Sequence, residues 1–411
     1  MAIDLSVKPD ASPWLTPGRY WPALTEATAG LDTPVAALHL GALRHNTADL
    51  LARAAGSPIR VATKSIRVRG VIEAILTVPG YQGLLAYTLA EALWLAGTLT
   101  DIVVGYPTAD RAAILALGRS AELAGRVTLM VDSLDHLDLI DAVIPPGRRE
   151  TIRLCLELDA GWNAPMLGHL GAHRSPVHTV RDARALAAGI AARPGFRLVG
   201  LMGYEAQIAG VGDRPAGKPI EGRAIRWMRR RSNDELSARR GAAVAAVREV
   251  ANLEFVNGGG TGSLESTRDD ASVTDIAAGS GFFGGHLFDH YSAFRPAPAA
   301  AFALSVARKP TAATATLLGG GWIASGPTGP DRTPALVWPE GLAFVPREMA
   351  GEVQSPVTGA AAARLRVGDR VWLRHTKSGE LSEHVNEFAV VDDGLVVDLL
   401  PTYRGEGKAF L

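Results

Sequence analysis

A lysine closes a short apolar stretch early in the chain: Lys64 in RVATKS, residues 60–65. Two glycine loops stand far downstream, NGGGTGS at 257–263 and AGSGFFG at 278–284. A primary amine at a strand end is a nucleophile toward an aldehyde, and glycine-rich turns let backbone N–H groups approach an anion without Cβ clashes. Aldehyde and phosphate on one small molecule describe pyridoxal phosphate, held as a Schiff base on the lysine with its phosphate against the loops. In this reading Gly259, Gly260 and Thr261 of the first loop, with Gly279 and Ser280 of the second, surround the phosphate.

Such chemistry needs a frame that brings distant strand ends together. Short apolar runs alternate with amphipathic stretches: VAALHL (35–40), IRVAT (59–63), GLLAY (83–87), DIVVG (101–105), RVTLMVD (126–132), IRLCLELD (152–159), FRLVGLMGY (196–204), LEFVNGG (253–259) and TDIAAG (274–279). Between them Val68, Val71, Ile72, Ile75 and Leu76 fall at helical spacing. The pattern predicts an α/β chain whose residues 33–295 form a (β/α)₈ TIM-type barrel; no GxGxxG follows the first strand, which argues against a dinucleotide-binding open sheet. The carboxyl ends of the strands then carry Lys64, His169, Arg174, Tyr204, Glu205, Gln207 and the glycine loops.

After Arg295 the texture changes. PAPAAAF (296–302) reads as a linker, and residues 296–411 as a smaller C-terminal β domain built from ALSVARK (303–309), RVWLRH (370–375) and a hairpin in NEFAVVDDGLVVDLLP (386–401) with an Asp-Gly turn. Residues 1–32, rich in Pro and Gly, form an arm expected to pack on the β domain or on a partner subunit.

Composition limits the function classes. Hydrophobic residues make up 47% of 411 and charged residues 20%, a globular balance. Lysine plus arginine equals aspartate plus glutamate at 42 each, so neither nucleic acid nor an anionic membrane is an expected partner. Cys155 is the single cysteine, no apolar run approaches about 18 residues, and the first residues lack an export pattern. A reduced, cytoplasmic setting and a small-molecule substrate are expected.

The motifs ATKS, ELDAGWN (157–163), GHLGAHRSP (168–176), GLMGYEAQIAG (200–210) and NGGGTGS follow one another in a familiar order and spacing. The chain resembles the fold-type III pyridoxal-phosphate enzymes, the alanine-racemase-like barrel group, and within it the D-threonine aldolase and D-serine dehydratase branch. The resemblance implies that Lys64 carries the cofactor, that His169, Arg174 and Tyr204 line it, and that the C-terminal domain contributes a base or Lewis acid, often across a homodimer interface. His169 aligns where the branch has an arginine near the pyridine ring, with Arg174 five residues on.

The branch also carries an H-x-C or H-x-D metal pair. The matching stretch here is His375-Thr376-Lys377, and an ammonium repels a cation by about 4 kcal/mol per unit charge at close range. No divalent metal is therefore expected, unless His384 or Glu383 joins His375. The activity implied is an aldolase that cleaves or forms the Cα–Cβ bond of a D- or β-hydroxy amino acid, releasing an aldehyde. In it Lys64 is one base, and His375, its pKa lowered by Lys377, takes the β-hydroxyl proton. Dehydratase and racemase chemistry are alternatives, as is a pyridoxal-phosphate homeostasis protein, which the residues beyond the barrel disfavour. Gln207, and Tyr403, Arg404 and Lys408 in the polar tail, are expected at the substrate carboxylate. Arg226, Arg229, Arg230 and Arg231 read as the solvated face of a helix.

Overall fold

A computed structural model describes residues 3–326, 329 and 331–411. The chain forms two compact units, one made of Met1–Asp49, Ser65–Val78 and Ser280–Ala409, the other of Leu50–Lys64, Pro79–Gly279 and Phe410–Leu411. The first predicted strand, β1 (Val35–His39), belongs to the former. The next, β2 (Ile59–Ala62), opens a closed parallel barrel with β3 (Tyr81–Ala86), β4 (Ile102–Val104), β5 (Val127–Val131) and β6 (Ile152–Glu157). A two-stranded hairpin, β7 (Trp162–Ala164) and β8 (Gly168–Leu170), stands outside the closed sheet. The barrel is completed by β9 (Phe196–Gly203), β10 (Phe255–Gly258) and β11 (Asp275–Ala278), which pairs back onto β2.

Burial on both faces explains why these strands read as continuous apolar runs; all five residues of β5 are buried. Val103, Met130, Cys155, Val199, Met202 and Phe255 form one packed cluster in this unit. The helices after the strands start on side-chain caps: Thr88, Asp110 and Ser120 each accept from a backbone N–H three residues on, and Thr179 with Asp182 makes a reciprocal capping box. Each cap stabilises its helix by about 1 kcal/mol.

The other unit is a nine-stranded sheet. After β1 it contains β12 (Ala300–Thr311), β13 (Thr314–Leu318), β14 (Ala335–Trp338), β15 (Ala343–Phe344), β16 (Gln354–Thr358), β17 (Arg370–Arg374), β18 (Glu387–Asp392) and β19 (Leu395–Pro401). Two expectations change here. VAALHL is not a barrel strand: β1 lies between β12, antiparallel, and β18, parallel. An apolar run buried on both faces has the same sequence texture in a barrel and in the middle of a mixed sheet, and only pairing separates the two. PAPAAAF is not wholly a linker either, because Ala300, Ala301 and Phe302 already pair with Leu38, Ala37 and Ala36 in β12.

The N-terminal helix Pro17–Ala27 packs Tyr20, Trp21 and Leu24 against Val35, Ala301, Trp372 and Ala389 of this sheet. Trp372 donates its indole N–H to Thr25 Oγ1 at 2.8 Å, and Tyr20 donates to the Pro298 carbonyl at 2.8 Å. The β18–β19 hairpin turns at Asp393 and Gly394, both with positive φ, as an Asp-Gly turn requires.

Barrel closure places one buried ion pair on its closing seam. Arg60 of β2 and Asp275 of β11 are each 2% exposed and meet at 2.8 Å, with Arg60 also 5.0 Å from the centre of the Phe255 ring. Asp275 accepts two bonds from Arg60 and a third from Asn257 Nδ2 at 2.5 Å. Removing the Asp275 charge leaves Arg60 to the half-exposed Asp101 carboxylate at 3.0 Å and takes away its buried counter-charge. Asp275→Asn is expected to cost about 3 kcal/mol, read as a lower denaturant midpoint at unchanged slope; a loss no larger than about 0.5 kcal/mol shows that the pair does not hold the seam.

Candidate active site

The carboxyl ends of the barrel strands carry a set of polar side chains within one unit. Lys64, half-buried, sits in the turn Thr63–Ser65 that ends β2. Its Nζ donates to the Tyr106 hydroxyl at 3.2 Å and lies 5.8 Å from that ring's centre. Tyr106 follows β4, and Tyr204 follows β9. The guanidinium of Arg174, carried by the loop after β8, is 5.3 Å from the centre of each ring. Arg174 therefore joins the ends of β4 and β9 through cation–π contacts. Glu157, the last residue of β6, is 4% exposed.

Electrostatics in this mouth are uneven. Burial pushes the Glu157 carboxyl up to about 7, with Arg174 opposing and Asp132 and Asp159 reinforcing. Burial also raises the Tyr204 phenol. Burial works the same way on Tyr106, but Lys64 and then Arg174 outweigh it, and the phenol is held below its ordinary value.

The NGGGTGS loop is organised by a carboxylate from inside the protein. Glu205, 1% exposed, accepts from the Gly259 N–H at 2.6 Å and from Thr267 Oγ1 at 2.9 Å, while Arg240 and Asp270 complete a buried network. Gly259 adopts φ +84°, which disfavours any side chain. Its N–H is thus spent on Glu205, whereas among the described residues the N–H groups of Gly260 and Gly262 donate to no protein acceptor. Thr261 is buried and its carbonyl accepts from Arg53; the Gly262 carbonyl accepts from Arg229 at 2.8 Å. A Cβ on Gly260 would stand 2.9 Å from Ala209 Cβ and 3.3 Å from the Tyr204 ring. Gly279 has a packing reason instead, since a Cβ there would lie 2.3 Å from the Ala62 carbonyl on the neighbouring strand. Ser280 begins the short helix Ser280–Phe283 of the other unit.

Several expected contacts fall elsewhere. His169 lies on β8, bonded to Asn163 Oδ1 at 2.9 Å and 3.8 Å from Asp159, while Arg174 lies against the two phenols. Gln207 spends its amide on the Ala160 carbonyl and Ser232 Oγ, both at 2.7 Å, so it braces the fold rather than meeting a carboxylate. Arg226 and Arg229 are half-buried and donate to backbone carbonyls, leaving Arg230 and Arg231 exposed. Tyr106 and Glu157 were not singled out from the sequence. The signal for Tyr106 was its place directly after an apolar strand, DIVVG, where barrel chemistry gathers.

In the β unit, His375 is 1% exposed, edge-on to Phe283, and neither ring nitrogen has a hydrogen-bond partner. Burial lowers it to about 4, Glu380 opposing and Arg374 and His286 adding to the fall. The work expected of Lys377 is done by burial; the backbone N–H groups of Lys377 and Ser378 hold the Glu380 carboxylate at 2.7 and 2.8 Å. His384 stacks on Trp322 at 5.0 Å with rings 3° apart, and Glu383 pairs with Arg67. Among the described residues no three His, Cys, Asp or Glu side chains gather as a metal site, and the lysine two places after His375 is no donor. Tyr403 is buried, with its N–H on the Arg67 carbonyl, while Arg404 is exposed. No helix among the described residues is long and apolar enough to cross a membrane.

The barrel mouth fits pyridoxal phosphate on its donor set: an amine for the aldehyde, unspent N–H groups at a turn too tight for a Cβ, and two cations for an anionic molecule. The comparisons agree with that chemistry. A family described as alanine racemase, N-terminal domain, matches residues 38–262. The fold is shared with D-threonine aldolase from Filomicrobium marinum, at 19% identity and TM-score 0.75, covering 92% of this chain and 96% of that one. D-threo-3-hydroxyaspartate dehydratase from Delftia sp. HT23 follows at 20% identity and TM-score 0.68, covering 90% and 97%. Alanine racemase from Corynebacterium glutamicum aligns at 17% identity and TM-score 0.52, covering 82% and 88%. Among curated proteins none matches the sequence.

The raised Glu157 carboxyl has a stability consequence. Its native value of about 7 lies above the ordinary carboxylate value of about 4.3, so the native state holds this proton more tightly than the unfolded chain. The sign follows: Glu157 costs nothing near pH 4, and stability falls as pH rises through about 7. In cofactor-free protein, Glu157→Gln is expected to match the wild type near pH 4 and exceed it near pH 8 by on the order of 3 kcal/mol. Urea unfolding at both pH values measures this; equal midpoints near pH 8 refute it.

Proposed function

The chain belongs to the alanine racemase N-terminal domain family, and from that premise we propose that it is a pyridoxal-phosphate-dependent lyase that cleaves the Cα–Cβ bond of a small D-configured or β-hydroxy amino acid, releasing an aldehyde. The observation that carries the proposal is Lys64 at the carboxyl end of a barrel strand, its amine 3.2 Å from the Tyr106 hydroxyl, in a mouth shared with Arg174. When bound, the cofactor would supply an aldehyde for amines and a ring that accepts electrons from bonds at the substrate α-carbon.

The chain's own residues do the rest. Lys64 offers the amine and Tyr106 orients it by accepting its hydrogen bond. The N–H groups of Gly260 and Gly262 stand ready for phosphate oxygens, and Glu205 keeps their turn in place by holding Gly259. Arg174 supplies positive charge against both phenols. Glu157, which titrates at about 7, holds or gives up a proton over the working range of most enzymes. His375, expected to take the β-hydroxyl proton, is 1% exposed and is assigned no step in this reading. The likeness in fold to a D-threonine aldolase supports aldol cleavage as the reaction.

Purified protein loaded with pyridoxal phosphate and incubated with a panel of β-hydroxy D-amino acids in deuterated water tests the reading. Aldehyde release is expected, with Lys64→Ala abolishing both cofactor retention after borohydride and turnover. A 2-oxo acid with ammonia, or deuterium exchange without aldehyde, would assign a different reaction to the same mouth.

A further inference from the structure

We propose that Tyr106 is the proton-carrying partner of Lys64, its phenolate oxygen taking one proton from the lysine ammonium and later returning it. The inference rests on the reading that Lys64 Nζ is the reacting amine. The step breaks one N–H bond and forms one O–H bond; ammonium and phenolate become amine and phenol, with no change in total charge. The neutral amine then has the lone pair needed to attack a carbonyl carbon.

The geometry sets Tyr106 apart from Tyr204. Its hydroxyl is 3.2 Å from Nζ, within direct proton-transfer reach. The charged groups acting on it come from three different elements: Lys64 after β2, Arg174 after β8, and Glu157 at the end of β6. The two cations favour a phenolate and outweigh burial and Glu157, which oppose it. Tyr204 is the internal control. Arg174 stands at the same 5.3 Å from both ring centres, yet burial dominates at Tyr204 and keeps that phenol protonated. Lys64 acts on Tyr106, whereas Tyr204 is more deeply buried and is raised further by Tyr106 and Glu205.

The two cations cause early ionisation whatever the role of Tyr106, so the rate of cofactor capture is read beside it. Ultraviolet phenolate titration of the cofactor-free protein is expected to show one of the seven tyrosines ionising ahead of the rest. That early step is expected to vanish in Tyr106→Phe, persist in Tyr204→Phe and move to higher pH in Lys64→Met. Stopped-flow capture of pyridoxal phosphate at neutral pH is expected to slow about 100-fold in Tyr106→Phe. Absence of an early step, its survival in Tyr106→Phe, its indifference to Lys64→Met, or an unaltered capture rate each overturns the inference and leaves the reading of Lys64 intact. A wild-type chain that captures no cofactor overturns that reading, and this inference with it. Should Tyr106→Phe fail to fold, indifference of the early step to Lys64→Met still overturns the inference.

Discussion

One half-buried phenol shared by two cations sets the chemistry of the barrel mouth. Lys64 reaches the Tyr106 hydroxyl while Arg174 lies over the ring, and the same guanidinium spans to Tyr204. Positive charge accumulated this way has to be balanced from outside or by ionisation within, because a partly desolvated cation is costly without a counter-charge. The protein supplies little permanent negative charge at that spot. Glu157 is nearest in kind, but burial raises it to about 7 and removes its charge over much of the neutral range. The mouth is thereby left suited to an anionic, aldehyde-bearing ligand.

Holding those groups in place requires a rigid layer behind them. Glu205 lies one residue past Tyr204, so the chain segment that presents the phenol also delivers the carboxylate that fastens Gly259. Arg240 of the helix Pro219–Arg248 opposes that carboxylate, and Asp270, in the loop before β11, pairs with the same guanidinium. Charges buried to this depth are tolerable only because each is paired and hydrogen-bonded. The arrangement divides the glycine loop into Gly259, bonded inward to Glu205, and Gly260 and Gly262, whose N–H groups donate to no acceptor among the described residues.

Strand identity was legible wherever an apolar run ended in a chemical group. Eight of the nine runs are barrel strands, and Lys64, Arg174 and Tyr204 do gather at one end. The ninth was not legible, because Val35–His39 pairs with Ala300–Ala303 and Ala389–Val391, partners about 260 and 350 residues away that no local pattern reports. The separate surroundings of His169 and Arg174 were not legible for a related reason. The β7–β8 hairpin turns His169 toward Asn163 and Asp159, and which of two nearby basic residues reaches the phenols depends on where that hairpin closes. Gln207 shows the reverse case: a polar residue at a strand end whose amide is consumed by Ala160 and Ser232.

Reaction type in a mouth of this kind depends on which groups can exchange protons, and the barrel unit narrows that set by burial alone. Tyr204 is held protonated, the Cys155 thiol is driven up by complete burial, and Asp132 is raised but only partly buried. Glu157 and Tyr106 remain, one shifted up and the other down, so that both move toward neutrality from opposite sides. Opposite shifts that raise a carboxyl and lower a phenol bring both nearer the pH at which proton exchange is efficient. The two shifts have different origins: Lys64 and Arg174 outweigh burial at Tyr106, whereas burial, reinforced by Asp132 and Asp159, outweighs Arg174 at Glu157.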